Sequence, residues 1–242
     1  MFSVVTSFGR KGYELYGRDF IRTFKQFWPE EVKLIVYWED EKPEEDLYGY
    51  DLLTLEPCAS FLARHDNMIM RGKEPHPRWG WGPKASKSGY NFRFDAYKFS
   101  RKVFAVAHAA REVKSGRMFW IDADVVTHNR VKTKWLIRML PEDIALCYLA
   151  RVRYHSELGF VGYNLSHPDT HPFIEDYERQ YADDLFINHG AFDDCNTFDM
   201  LVRRRKPAVY QIPNRSTAQP FDHSDLVRFM THNKGNRKGN VT

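Results

Sequence analysis

The sequence predicts an α/β fold, in which helices flank a central sheet. Apolar, strand-forming runs occupy residues 2–7, 32–38 and 117–121. Residues 13–27 carry apolar side chains at helical spacing, and residues 92–113 predict a second helix. Strand, helix and strand in succession imply a right-handed βαβ unit, which places the strands side by side in one sheet.

The rest of the chain continues this pattern without a linker or an internal repeat. Further strands are predicted at 144–150, 160–165 and 208–212, and further helices at 172–184 and 194–203. A length of 242 residues suits one large domain. We therefore expect a single α/β domain over the whole chain.

Composition excludes several classes of protein. With 43% hydrophobic and 15% aromatic residues, the chain is expected to fold rather than stay disordered. Its three cysteines are far apart and form no CxxC pair, so no zinc or disulfide framework is expected. No signal-peptide pattern and no stretch of about 18 apolar residues is present, which predicts a cytoplasmic protein without a membrane partner. The net charge of +4 favours polyanionic partners only weakly.

An acidic pair directly follows the strand predicted at 117–121. In the stretch MFWIDADVVTH, the apolar run ends at Asp122 and Asp124. Ligands of open α/β sheets bind at the carboxyl ends of the strands, and carboxylates there suit a hard cation such as Mn²⁺ or Mg²⁺. By itself, D-x-D is equally typical of a solvated acidic turn.

The C-terminal tail contains residues that suit the other half of a metal and phosphate site. His232, Gly235 and Lys238 form the pattern H-x-x-G-x-x-K, with Lys234 inside it. An imidazole can complete a metal shell begun by carboxylates, glycine permits close approach of a phosphate, and lysine can neutralise a diphosphate. A frayed basic terminus is the alternative interpretation.

Together the two motifs resemble those of GT-A-fold glycosyltransferases, most closely the retaining family that includes glycogenin and bacterial lipooligosaccharide galactosyltransferases. The resemblance implies a Rossmann-like fold with a central mixed sheet and a hexosyl- or pentosyltransferase that uses a UDP-sugar. It implies that Mn²⁺, or Mg²⁺, is held by Asp122, Asp124 and His232. It assigns donor binding to Asp122, Lys234, Gly235 and Lys238.

The same resemblance divides the domain and adds residues from its first half. It implies a nucleotide-binding half to about residue 128 and an acceptor and sugar-binding half from about 129 to 242. Thr6 and Asp40 follow the first two predicted strands, where such folds bind base and ribose. Arg93, which opens the helix before D-x-D, is a further donor-binding candidate. Each of these has a plain alternative as a surface residue.

Two acidic positions in the second half are candidates for catalysis. The family motif N-A-G, followed by Asn five residues later, lies near the bound sugar, and this chain keeps Gly159 and Asn164 but has Glu157 in place of the first Asn. A carboxylate there suits a nucleophile or a stabiliser of an oxocarbenium-like state, or it orients an acceptor or a loop. Asp193 and Asp194 match an acidic sugar-binding motif; the alternative is a helix N-cap at Asp194.

The segment 64–93 predicts the acceptor. It is irregular, rich in lysine and arginine, and interleaved with aromatic residues, which suits nucleic acid, an anionic glycan or a lid over the donor. The compact chain is also similar to small phage-encoded glycosyltransferases, some of which modify 5-hydroxymethylcytosine in DNA. We therefore expect a DNA acceptor and, for a phage protein, the host cytoplasm; a surface or lipid-linked saccharide is the competing acceptor.

Two other functions fit part of the sequence. A haloacid-dehalogenase-type phosphatase also has an apolar strand followed by D-x-D-x-V, but that motif normally ends the first strand, and the class gives His232 and Lys238 no role. A non-catalytic nucleic-acid-binding protein accounts for the segment 64–93 and leaves the acidic pair unexplained.

Overall fold

The fold is a mixed seven-stranded sheet with helices on both faces. A computed structural model describes residues 1–80, 89–151, 153–216 and 218–233. The strand order is β3-β2-β1-β4-β7-β6-β8. The strands are β1 (Phe2–Phe8), β2 (Val32–Trp38), β3 (Gly49–Asp51), β4 (Arg117–Ile121), β6 (Leu146–Leu149), β7 (Glu157–Asn164) and β8 (Val209–Gln211). A separate two-stranded ribbon is formed by β5 (Val125–Thr127) and β9 (Met230–His232).

The helices follow the strands in the order expected for an α/β protein. They are α1 (Arg10–Gly12), α2 (Arg18–Phe27), α3 (Cys58–His65), α4 (Ala96–Val113), α5 (Thr133–Met139), α6 (Thr170–Ala182), α7 (Phe186–His189) and α8 (Asp194–Arg205). A π-helical turn (Tyr13–Gly17) joins α1 to α2, and 3₁₀ helices occur at Leu52–Thr54, Phe92–Phe94 and Asp225–Arg228. No helix in these described ranges is long and apolar enough to cross a membrane.

Strand direction determines which residues meet at the functional edge. Strands β1, β2 and β4 are parallel to one another, whereas β7 runs antiparallel to β4. The carboxyl end of β4, followed by Asp122, therefore lies beside the start of β7 at Glu157. The strands β2 and β3 lie on one side of β1, and β4 lies on its other side, so the order of strands reverses between β1 and β4. Asp122 and Glu157 lie at this switch point, the position at which α/β sheets bind ligands.

Two apolar cores cover the two faces of the sheet. Val4 and Val5 are both fully buried, and alternation along β1 directs them into different cores. Val5 joins the core that includes residues of α4, α6 and α8, whereas Val4 joins the core that includes residues of α2 and α5. Burial on both sides makes the sheet a fixed frame for groups at its edge.

Several predicted boundaries differ from the structure, and three of the differences have identifiable reasons. β1 extends through Phe8 in parallel pairing with β2, so Thr6 lies inside the strand rather than after it. The helix predicted from 92 begins at Ala96, because the Asp95 side chain accepts a hydrogen bond from the Lys98 amide and caps it. β7 begins at Glu157 rather than at the predicted residue 160. Its first residues are buried in the sheet, whereas the polar glutamate interrupts the apolar run on which the prediction relied.

Candidate functional site

The β5–β9 ribbon brings His232 to the acidic pair. Val125 pairs with His232, and the Asn233 amide donates to the Asp124 carbonyl at 2.9 Å. As a result the His232 Nε2 lies 2.9 Å from Asp124 Oδ1 and 3.8 Å from Asp122 Oδ2. The ribbon therefore joins two motifs that are about 110 residues apart in sequence, by an ordinary antiparallel ladder.

The assembled side chains fit a divalent cation. Two carboxylates and one imidazole are ligands that suit Mn²⁺, and Mg²⁺ takes the carboxylates readily. Metal–ligand distances of about 2.1 Å place neighbouring ligand atoms about 3 Å apart, close to the His232–Asp124 separation. Asp124 and His232 are buried, whereas the Asp122 side chain is 32% exposed. The group of three is therefore enclosed at Asp124 and His232 and open to solvent at Asp122.

Gly159 gives His232 the space it occupies. A Cβ at this position would lie 2.5 Å from His232 Cε1 and 2.7 Å from Nδ1, distances that side chains do not tolerate. The Gly159 carbonyl also accepts from the Asp122 amide at 3.0 Å. In the stretch Ser156-Glu157-Leu158-Gly159 (S-E-L-G), a glycine is therefore required for packing, because only a residue without a side chain lets the imidazole lie against β7.

Lys102 links the acidic pair to a second acidic cluster. Its Nζ, on α4, lies 3.2 Å from Asp122 Oδ1 and 3.0 Å from Asp194 Oδ2, and it donates to the Leu158 carbonyl at 2.6 Å. The Trp120 indole also donates to Asp122 Oδ1, at 2.7 Å. These donors hold one carboxylate oxygen of Asp122 and leave Oδ2 toward His232.

The charges of this cluster shift pKa values in opposite senses. Burial by itself raises the pKa of the Asp122 carboxyl, but Lys102 and His232 outweigh it, so the pKa is lowered. Burial lowers the pKa of Lys102, but Asp122 and Asp194 more than reverse this, and the pKa is raised. Both groups are therefore charged at neutral pH.

Asp193 and Asp194 have different local roles. Asp193 is the N-cap of α8, since its side chain accepts from the Asn196 amide at 2.8 Å. The predicted alternative placed that cap at Asp194, one residue too late. Asp194 is 3% exposed and pairs with Lys102. Burial raises the pKa of Asp193, and the nearby charge of Asp194 raises it further, against the opposing Asn196 amide.

Glu157 lies next to His232, on the side of the ring away from Asp124; Asp122, Asp124 and His232 are called the metal-ligand set below because they are the candidate ligands. The side chain is buried at the start of β7, and its Oε1 accepts from the Gly159 amide at 3.2 Å. The same oxygen lies 3.6 Å from His232 Nδ1. Asn164, at the other end of this eight-residue strand, donates to backbone carbonyls, including those of Glu142 and Ile144. At about 3.3 Å per residue it is about 23 Å from Glu157, far from the site.

The loops after β1 and β2 place Asp40 and its neighbour differently. Asp40 is exposed and accepts from the Arg10 amide at 2.6 Å, so it ties the start of α1 to the β2 loop. Glu39 is more enclosed, with Ser7 Oγ at 2.7 Å and an Arg101 guanidinium nitrogen at 2.7 Å. Thr6 is fully buried, and its hydroxyl has no hydrogen-bond partner among the described residues.

Tyr16 connects these loops with the acidic pair. It lies in the π-helical turn, a feature often found at functional sites. Burial raises the pKa of Tyr16 to about 12, and the charges of Asp124, Glu39 and Asp122 act in the same direction. The Tyr16 phenol therefore lies in the electrostatic field of Glu39, which follows β2, and of the acidic pair Asp122 and Asp124.

The remaining sequence candidates fall into two groups. Arg93, in the 3₁₀ turn before α4, is half-buried, and its charge lowers the pKa of Asp193, which places the two in one electrostatic environment. Lys234, Gly235 and Lys238 lie outside the described residues.

Similar structures identify the fold. The sequence matches no protein-family model and none of the curated proteins. Mouse xyloside xylosyltransferase 1 superposes with a TM-score of 0.55 at 12% identity, covering 100% of this chain and 99% of that one. The bifunctional glycosyltransferase WbbM gives 0.51 at 11% identity, covering 98% of this chain and 46% of that one. The fold is GT-A.

The GT-A fold confirms the sequence-based prediction of a mixed sheet flanked by helices. Sequence reasoning missed Lys102, Glu39 and Tyr16 in the site. A lysine within an amphipathic helix is usually solvent-facing, so Lys102 gave no signal. Glu39 was next to the chosen Asp40, and only the contacts with Ser7 and Arg101 separate the two.

Proposed function

We propose that the chain is a metal-dependent glycosyltransferase that moves a sugar from a UDP-sugar to a hydroxyl group. The observation that carries the proposal is the convergence of Asp122, Asp124 and His232 at the switch point of a GT-A sheet. Both similar structures named above are described as glycosyltransferases, one of them as a xylosyltransferase. The proposal keeps the predicted division into a nucleotide-binding half to about residue 128 and an acceptor half after it.

In the proposed site, one group of residues binds the metal and another group holds those ligands in position. Asp122, Asp124 and His232 would hold Mn²⁺ or Mg²⁺, which supplies positive charge against the diphosphate that departs with UDP. Lys102 and Trp120 fix the Asp122 carboxylate in advance, so little reorganisation accompanies donor binding. Lys234, Gly235 and Lys238 remain the predicted diphosphate-binding residues.

The sugar pocket is proposed between the metal-ligand set and the start of α8. Asp193 and Asp194 enclose one side of it, and Lys102 bridges Asp194 to Asp122. Arg93 lies in the electrostatic environment of Asp193 and offers donors to sugar or diphosphate oxygens. Thr6 and Asp40 stay proposed for the base and ribose, with Glu39 as the stronger candidate on this side because Ser7 and Arg101 hold its carboxylate in place.

Contacts within the segment 64–93 limit the case for DNA as the acceptor. Arg71 pairs with Asp66 and stacks 3.7 Å from the Tyr97 ring. The Trp79 indole donates to the Ile187 carbonyl, and Tyr90 donates to Asp95. These groups anchor residues 64–80 and 89–93 to the domain, which is consistent with the lid alternative; residues 81–88 of the segment lie outside the described residues. The 5-hydroxymethylcytosine hydroxyl remains the acceptor we propose, and a saccharide hydroxyl is the competing outcome of the test.

One assay tests the donor, the metal and the acceptor together. Purified protein is incubated with Mn²⁺ and a panel of UDP-hexoses and UDP-pentoses, with hydroxymethylated DNA, unmodified DNA or saccharide acceptors. Mass analysis of digested nucleosides and of saccharides identifies the product, and free UDP reports donor hydrolysis. Glycosylated hydroxymethylcytosine supports the full proposal, and a saccharide product corrects the acceptor. Release of no UDP from any donor, with every acceptor, contradicts the proposal.

A further inference from the structure

The two ring nitrogens of His232 have different surroundings. Nε2 faces the acidic pair, 2.9 Å from Asp124 Oδ1. Nδ1 is buried and has no hydrogen-bond partner within the described part of the chain, although Glu157 Oε1 lies 3.6 Å away. A buried polar atom without a partner is costly, and in native proteins it usually indicates a bound species or a shifted geometry.

Glu157 is held in place independently of His232. The residue before it, Ser156, donates through both its amide and its hydroxyl to the Asp199 carboxylate on α8, at 2.9 and 2.5 Å. Glu157 itself pairs with Leu149 of β6, and its Oε1 accepts from the Gly159 amide. The carboxylate is therefore a fixed acceptor beside the imidazole, and it has capacity for another donor.

This arrangement matches what a metal-binding histidine requires. When one ring nitrogen binds a cation, the other usually donates its proton to a carboxylate, which fixes the tautomer and the ring orientation. Here the nitrogen toward Asp122 and Asp124 is Nε2, and the nitrogen toward a carboxylate is Nδ1. A nucleophile, in contrast, needs access to a substrate, whereas Glu157 is 5% exposed and has its Oε1 toward Gly159 and His232.

We propose that Glu157 is a positioning residue, which accepts the Nδ1 proton of His232 and keeps Nε2 unprotonated for the cation. This inference rests on the proposed metal site and assigns a task to the glutamate that replaces asparagine in S-E-L-G. It predicts that Glu157 acts on metal affinity, through His232, rather than on the reacting sugar.

Manganese binding to the full chain provides the test. Free Mn²⁺ is measured by electron paramagnetic resonance during titration, with and without UDP, for wild type, Glu157→Ala and Glu157→Gln. Alanine removes the acceptor and is expected to weaken Mn²⁺ affinity by about 10- to 100-fold. Glutamine keeps a carbonyl acceptor and is expected to retain most of the affinity. At saturating Mn²⁺, both variants are expected to recover most of the wild-type turnover.

Glu178 supplies matched controls. It is another largely buried glutamate, but it pairs with Arg111 between α4 and α6, and within the described ranges it has no hydrogen bond or ion pair with Asp122, Asp124 or His232. Glu178→Ala and Glu178→Gln should leave Mn²⁺ affinity unchanged while altering thermal stability. A loss of affinity common to both pairs would show a general effect of destabilisation and would overturn the proposal.

A spectroscopic readout keeps the test valid if Glu157→Ala does not fold. In protein labelled with ¹⁵N-histidine and loaded with Mg²⁺ and UDP, the His232 ring should be protonated at Nδ1 and not at Nε2. The opposite tautomer overturns the proposal, as does wild-type affinity in Glu157→Ala. Loss of turnover in Glu157→Gln at saturating Mn²⁺ with unchanged affinity would assign catalysis to Glu157 instead. Failure of the wild-type chain to bind Mn²⁺ would contradict the proposed function itself.

Discussion

The strand-paired side of the molecule, at Asp124 and His232, and the loop side, at Phe92 and Tyr154, are built in different ways. Asp124 and His232 are buried, and strand pairing holds them to neighbouring backbone. Exposed Phe92 and Tyr154, in contrast, belong to a short 3₁₀ turn and to the loop before β7. The comparison teaches that strand pairing holds Asp124 and His232 in a fixed geometry, whereas large exposed side chains such as Phe92 and Tyr154 lie in irregular segments, where binding groups are often found.

Removal of a proposed metal ligand tests the strand-paired side and should have the largest effect. His232→Ala and Asp124→Ala are expected to lower kcat by about 10³-fold, since the charge that stabilises the leaving diphosphate is lost. EDTA should abolish wild-type turnover, and added Mn²⁺ should restore it. His128→Ala, an exposed histidine close to the ribbon, is the control and should keep wild-type rates. Full activity in EDTA would remove the metal from the proposal.

Lys102→Met tests the buried link between the two acidic groups. It leaves Asp122 and Asp194 without their shared cation, so the free energy of unfolding should fall by about 3–5 kcal/mol. Denaturant titration measures the loss. Lys98→Met, on the same helix but outside this cluster, should change stability by less than about 1 kcal/mol. Equal stability of the two variants would show that the buried link is unimportant.

The same link predicts the acid behaviour of the metal-free protein. The pKa of Asp122 is lowered in the folded state, so at a pH near the two pKa values the folded state binds fewer protons than the unfolded state. Its contribution to stability is present above the unfolded pKa of about 3.9 and disappears as pH falls through the lowered folded pKa. Denaturant titrations between pH 6 and pH 3 should show a smaller acid dependence in Lys102→Met than in wild type. A larger pH dependence of stability in Lys102→Met than in wild type would show that Lys102 does not lower the pKa of Asp122.

Gly159→Ala tests how closely the imidazole must lie against β7. The added methyl group would meet His232 at 2.5 Å, so Mn²⁺ affinity should fall by about tenfold or more. Gly162→Ala, on the same strand, would meet Cys147 Sγ at 2.5 Å instead and should lower stability with little effect on affinity. Comparing Mn²⁺ titrations with thermal unfolding separates the two. An unchanged affinity in Gly159→Ala would show that the ring has room to move.

Arg93→Ala tests the loop side and should have the smallest effect. Because Arg93 is half-buried and its charge lowers the pKa of Asp193, its loss should raise the KM of donor or acceptor about fivefold, or about 1 kcal/mol, and leave Mn²⁺ affinity unchanged. Steady-state kinetics with each substrate varied in turn identifies which one it contacts. A large fall in kcat with constant KM would place Arg93 with the rigid groups instead.

Local pattern was sufficient for the longer strands and helices, but it did not predict α3 or the short strands β3, β5 and β9, and it did not predict all of the site. β2 and β4 have the predicted bounds, because continuous apolar runs between polar turns are strong strand signals. The position of Asp122 followed directly from β4. Lys102 was not predictable, because its contacts depend on how α4 packs over β4 and α8. The antiparallel direction of β7 places Glu157 near Asp122 and Asn164 at the far end of the strand, and this direction is likewise set by long-range pairing.

The ribbon that carries His232 links cation binding to the stability of the fold. Each of its strands is only three residues long, and isolated two-stranded ribbons are marginally stable. A cation bound by Asp122, Asp124 and His232 would fasten the two strands and stabilise the folded state by about 2.7 kcal/mol at a concentration 100 times its Kd. The melting temperature of this protein is therefore expected to rise with the divalent cation concentration around it.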